Sequence, residues 1–202
     1  QFSDVAPCRG EVSSDYGDCA ERTTEDRTRL GADQEAWFAE TIGQGGVTWD
    51  LIGNPVVLAG IDAGTDDRSL FYLDTWDGYP DAQRRVIAAM ADAGNPVVLT
   101  GDYHAGMVLE VNDRPFEPGA TLVAPEFMAP PISSPLFAED VSAHTPQLRQ
   151  QINTHGYLTV TAGPDRLTAA FRVLDDVEDP RSAISTAATW QVDAGDPTPR
   201  EV

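Results

Sequence analysis

An α/β fold of the mixed α+β kind is predicted by three features of the sequence. They are an amphipathic stretch of helix length that runs into a short apolar segment, the polar residues ending that segment, and two alternating segments near the C terminus. Pro80 suits a first helical turn, and the stretch from 80 to 94 then places Ala82, Val86, Ala89 and Met90 on one face before stopping at Gly94. Residues 96 to 100 contain VVLT, the composition of a strand buried on both faces, and empty directly into Gly101, Asp102, Tyr103 and His104. Residues 156 to 161 and 166 to 173 alternate around Ala-Gly-Pro-Asp and predict a C-terminal β-hairpin.

The other elements follow in chain order. Residues 1 to 30 read as an irregular acidic arm. Asp33 is placed to cap a helix carrying Trp37, Phe38 and Ile42, which Gly43 ends. A strand-like run over 47 to 52 precedes a second apolar run over 55 to 60, and residues 61 to 79 form an acidic loop containing FYLDTWDGYP. Strands are predicted over 107 to 111, 121 to 124 and 186 to 192. The proline-rich stretch 125 to 136 reads as a loop, 145 to 152 as a short helix with Pro146 in its first turn, and 196 to 202 as a disordered tail. No repeat or linker divides the body from 31 to 195, so one domain is expected between arm and tail.

Composition narrows the chemistry. The 202 residues, 41% of them hydrophobic, are enough to bury a core, and no apolar stretch approaches the roughly 20 residues that span a bilayer. The start, QFSDVAPC, is no signal peptide and carries no initiator Met, so a preceding segment is expected. A net charge of -20 argues against nucleic-acid binding by a basic surface, and it supplies many oxygen donors for divalent cations, although an acidic surface also serves solubility alone. All 13 basic residues are Arg. Phosphate-loop, kinase, pyridoxal and Ser-Lys chemistry all require a lysine amine and are excluded; no G-x-S-x-G or H-E-x-x-H motif supports lipase-like or zincin chemistry. Cys8 and Cys19 bracket a polar, turn-rich segment and read as a disulfide formed in an oxidising compartment, the alternative being two unpaired surface thiols.

Three places carry candidate chemistry. On a strand, residues two apart share a face, so Asp102 and His104 would point into one crevice beyond the strand's end. A carboxylate with an imidazole suits iron or zinc, and the carboxylate can bridge to calcium; the alternative is a turn aspartate beside a surface histidine. Asp74 and Asp77 flank Trp76 and either join that crevice as metal ligands or, for Asp77-Gly78, form a turn. His155, at a strand start, is a candidate substrate-binding residue or a structural one. His144 reads as exposed, and Glu126, Ser133 and Ser134 either line a pocket or belong to a packed surface loop.

Taken in order, LGADQEAWF, FYLDTWDGYPDAQRRV, NPVVLTGDYHAG, APEFMAPPISS, HGYLTV and FRVLDDVEDPRSAISTAATWQVDAG resemble the C-terminal portion of PhoD-type alkaline phosphatases. The similarity runs from about Leu30 to Gly195, and WDGYP and TGDYH are its distinctive segments. The resemblance implies half of a calcineurin-like metallophosphoesterase sandwich, two facing sheets flanked by helices. It implies export, extracellular phosphate release, and hydrolysis of phosphate monoesters and diesters with iron and calcium. Asp102 and His104 match the family's last metal-binding motif, and Asp74 and Asp77 match acidic positions of its WDGY loop associated with calcium. Gln1 and Phe2 match the end of a strand whose remainder, with the other ligands, belongs to an N-terminal portion of the same precursor; Cys8 and Cys19 are not the family's iron cysteine. A non-catalytic acidic calcium-binding module derived from such an enzyme is the alternative, and a metal-dependent nuclease conflicts with the charge.

Overall fold

The structure is a computed structural model that describes residues 4–8, 14–15, 19–24, 26–137 and 139–202; the expected strand end at Gln1 and Phe2 lies outside the described residues. In chain order the elements are β1 (Ser14–Asp15), α1 (Ala32–Thr41), β2 (Asp50–Gly53), β3 (Phe71–Tyr72), α2 (Pro80–Met90), β4 (Pro96–Thr100), β5 (Gly106–Asn112), β6 (Leu122–Met128), β7 (Leu148–Ile152), β8 (Gly156–Ala162), β9 (Arg166–Leu174), β10 (Ile184–Asp193) and β11 (Asp196–Glu201). Single 3-10 turns occupy Ala20–Thr23 and Trp76–Gly78.

Two sheets stack with helices on one side. The mixed sheet has the order β2-β4-β6-β5-β7, parallel from β2 through β6 and antiparallel thereafter. The second sheet, β11-β10-β9-β8, is wholly antiparallel. Period-two patterning assigns residues to two cores. Val97, Val108 and Phe127 face the second sheet, where Leu167, Ala169 and Phe171 of β9 and Ala188, Trp190 and Val192 of β10 meet them. Their neighbours Val98, Met107, Leu109, Ala124 and Met128 turn the other way, onto Ala82, Val86, Ile87 and Met90 of α2. The expected two-sheet arrangement with a C-terminal hairpin, β8–β9, is present.

Several sequence-based boundaries change. Helix α1 is capped by Gly31 at φ 81° rather than by Asp33; Thr28 Oγ1 accepts the Gly31 N–H at 3.0 Å and donates to Glu35 at 2.9 Å. Residues 148 to 152, expected in a helix, form β7, which pairs with the edge of β5. The expected loop from 125 begins later, because β6 runs through Pro125 to Met128. Pro125 is tolerated because β4 pairs with β6 only from Glu126 onward, so no β4 partner needs the missing N–H. The expected tail is β11, joined to β10 through Ala194 and Gly195 at φ 89°.

The apolar run 55 to 60 is not a strand. Its backbone is bound by side chains: Leu58 and Ala59 N–H donate to the Glu126 carboxylate at 2.9 and 2.7 Å, and Ile61 N–H donates to Asp77 at 3.0 Å. Gln83 donates to the Leu58 carbonyl, and Gln147 to those of Ala59 and Gly60. Buried polar groups thus replace the ladder a strand would supply.

Candidate functional site

Strand β4 delivers the chain to the crevice and stops at Thr100. Beyond it, Tyr103 N–H donates to the Gly101 carbonyl at 2.9 Å, closing a γ-turn centred on Asp102 at φ 73°. His104 is also left-handed, at φ 62°, and its carbonyl accepts the Phe137 N–H at 3.0 Å. Asp102 and His104 do share one pocket, but consecutive tight turns put them there, not the alternation of a strand. Left-handed non-glycine residues cost of order 1 kcal/mol or more each, and such strain gathers at sites where the surroundings over-determine it.

The pocket, of about 250 Å³, is lined by Asp74, Thr75, Asp102 and His104 on its polar side and by Tyr72, Leu136 and Phe137 on the other. Asp74 arrives at the turn after β3, where Thr75 N–H donates to the Tyr72 carbonyl at 3.2 Å. The structure does not bring Asp77 to this pocket. Its carboxyl is buried beneath the 3-10 turn, accepts the Ile61 N–H, and is pushed up to about 6 by burial, against the Ile61 amide, the Arg22 charge and the Thr75 hydroxyl. The turn depends on Gly78, where a Cβ would lie 2.1 Å from the Leu73 carbonyl oxygen.

His155 lies outside the pocket, with Nε2 3.0 Å from the Ser134 carbonyl. It therefore braces the loop after β6, whose far end forms the pocket's apolar side. Glu126 is no pocket residue: it is fully buried, and burial pushes its carboxyl up to about 7 against the pull of the Leu58 and Ala59 amides. Cys8 and Cys19 are joined in a disulfide, with Cα atoms 6.0 Å apart, as their spacing predicts.

Sequence reasoning missed Arg29. It is only 6% exposed, lies over Tyr79 at 5.6 Å, and its charge reaches both Asp74 and Asp102. Burial pulls its guanidinium below the ordinary value, and Tyr79 and the two carboxylates oppose that pull. Nothing in its spacing marks it, since it is one of several Arg residues in the polar arm.

Two carboxylates and an imidazole are the right donor types for calcium and a transition metal. Yet among the described residues no three His, Cys, Asp or Glu side chains come close enough to hold a metal ion. The chain offers donors on one side of a pocket without closing a site. Nor is any helix among the described residues long and apolar enough to cross a membrane.

Comparison with known proteins agrees with the motifs. A model of the PhoD-like phosphatase family matches residues 1–171. Alkaline phosphatase D of Bacillus subtilis (strain 168) is 31% identical over 180 residues, covering 84% of this chain and 31% of that protein. A solved structure of PhoD superposes with a TM-score of 0.88 at 25% identity, covering 100% of this chain and 40% of that one. The chain thus spans well under half the length of either, and with its motifs, fold and family match in agreement it belongs to the PhoD-like phosphatase family.

Proposed function

We propose that this chain forms one side of the active site of a metal-dependent phosphoesterase that hydrolyses phosphate monoesters, diesters or both. The single observation that supports this reading is the convergence of Asp74, Asp102 and His104 on one pocket, with Asp102 and His104 both in left-handed backbone. The oxygens of Asp74 and Asp102 suit calcium and the His104 imidazole suits iron, the pair of metals that the family resemblance implies. Metal ions bound there would clamp the phosphoryl oxygens and lower the pKa of a bound water. In the overall reaction the water oxygen joins phosphorus, the phosphorus–oxygen bond to the alcohol breaks, and a water proton ends on the departing alcohol. Asp77 supports the pocket through Thr75, whose hydroxyl lies 3.3 Å from the Asp77 carboxyl, and Arg29 offers positive charge beside two carboxylates on a chain whose net charge of -20 otherwise repels phosphoesters.

The remaining ligands come, in this reading, from an N-terminal portion of the same precursor. Among the described residues strand β2 pairs on one side only, with β4, and beside it runs an apolar groove of about 330 Å³ where Trp37 is 58% and Leu51 48% exposed. A free edge next to exposed apolar side chains suits a further strand and its packing. The Cys8–Cys19 disulfide supports a secreted protein releasing phosphate outside the cell.

The test is hydrolysis of p-nitrophenyl phosphate and its bis ester by the complete gene product, with and without a chelator. Turnover lost on chelation and on Asp102→Ala is the expected result; undiminished turnover in that variant would refute the assignment. Native against denatured mass of the same sample is expected to show whether a companion polypeptide accompanies the 202 residues.

A further inference from the structure

Half of the pocket that holds Asp102 and His104 carries no charge. Tyr72, Pro135, Leu136 and Phe137 line it. Tyr103 packs edge-on to Tyr72 at 5.5 Å and to Phe137 at 4.7 Å between ring centroids, making one continuous aromatic surface.

The wall is fixed in place. Ala129 N–H donates to the Thr100 carbonyl at 2.9 Å where the loop leaves β6, and Gly156 N–H donates to the Pro131 carbonyl at 2.9 Å. His155 Nε2 lies 3.0 Å from the Ser134 carbonyl, and Phe137 N–H donates to the His104 carbonyl at 3.0 Å. That last bond ties the apolar wall to the backbone of a proposed ligand. Such anchoring pre-organises a surface for binding.

Metals and phosphoryl oxygens need nitrogen or oxygen ligands, and the side chains of Pro135, Leu136 and Phe137 carry none; the Tyr72 phenol is the only polar side-chain group among the four wall residues. Apolar surface gains only from an apolar occupant. We propose that the wall of Tyr72, Pro135, Leu136 and Phe137 receives the organic group of the phosphoester and selects alcohols bearing a flat, apolar, ring-sized group over small hydroxylated alcohols. His155, in this arrangement, is a positioning residue for the wall. The inference rests on the phosphoesterase reading of the same pocket.

The test compares 2-phenylethyl phosphate with glycerol 1-phosphate, both esters of alkyl alcohols, so that binding rather than leaving-group acidity sets the difference. Steady-state kinetics are measured on the complete gene product. The ratio of kcat/KM is expected to favour the phenylethyl ester by about tenfold or more, and Leu136→Asn to lower that ratio about tenfold, with Leu136→Met retaining it. Thermal melts of the variants accompany the kinetics. A wild-type ratio near one overturns the inference, as does a Leu136→Asn variant in which both esters decline equally. Turnover abolished by Asp102→Ala alongside a ratio indifferent to Leu136 overturns the inference alone; turnover of both esters that survives Asp102→Ala overturns the phosphoesterase reading beneath it.

Discussion

At Asp102 the backbone adopts a conformation that disfavours any residue with a Cβ, and the same occurs two positions on at His104. Charge and backbone geometry can be separated there, because asparagine tolerates the left-handed region best among the other non-glycine residues. Asp102→Asn is expected to leave the melting temperature within about 2 °C of wild type, while phosphoesterase activity falls by at least the roughly 10- to 100-fold seen on losing a metal site's supporting partner. Activity within twofold of wild type would remove Asp102 from the site. TGDYHAG made the meeting of Asp102 and His104 legible, but for a reason that the γ-turn replaces. In LDTWDGYP the one cue separating Asp74 from Asp77 is Gly78, which offers Asp77 alone a turn. The difference arises from the 3-10 turn that Thr75 opens and Gly78 permits, which turns one carboxylate toward the pocket and the other into the core.

Among the elements, those with complete hydrophobic periods were legible: α2, β4 and the β8–β9 hairpin each match their pattern. Those that failed carry proline or borrow partners. Pro146 mimics a helix start, yet β5 has an edge to offer and β7 takes it. Pro197 and Pro199 mark β11 as unstructured, yet an edge strand keeps one side free of ladder bonds and tolerates both. Residues 55 to 60 are apolar enough for a strand, but Glu126, Gln83 and Gln147, distant in sequence, satisfy the backbone instead.

That tie between β6 and the buried segment has a pH signature. Burial disfavours the charge on Glu126 and Asp77 and pushes their carboxyls up to about 7 and about 6 in the folded protein, from ordinary values of 4.5 and 3.8. Each then holds its proton more tightly folded than unfolded. Their contribution is full below the unfolded values and is lost as pH rises through about 6 for Asp77 and about 7 for Glu126. Glu126→Gln is expected to flatten the decline in unfolding free energy between about pH 5 and 8, by at most on the order of 3 kcal/mol. Urea melts across that range check it; an unaltered slope would mean Glu126 stays ionised in the fold.

For the whole molecule, helices, mixed sheet and antiparallel sheet enclose two cores, while the arm wraps back through the Tyr79 hydroxyl, which donates to the Asp4 carbonyl at 2.7 Å. The second sheet was legible from the alternation along β9, whereas β10 alternates only from Ala188 onward; the polar ties between layers were not, because they involve residues far apart along the chain. Those ties have a consequence for motion. The amides of Leu58, Ala59 and Ile61 belong to neither helix nor strand, yet each is bonded to a carboxylate sealed from water. Their hydrogens are therefore expected to exchange with deuterium as slowly as those at the centre of β5, released only when the domain opens globally, and at least about 100-fold more slowly than amides of exposed loops. Exchange measured by NMR or mass spectrometry at loop rates would show the segment breathing on its own. Slow exchange would make an irregular stretch of backbone, by its kinetics, one more member of the sheet it lies against.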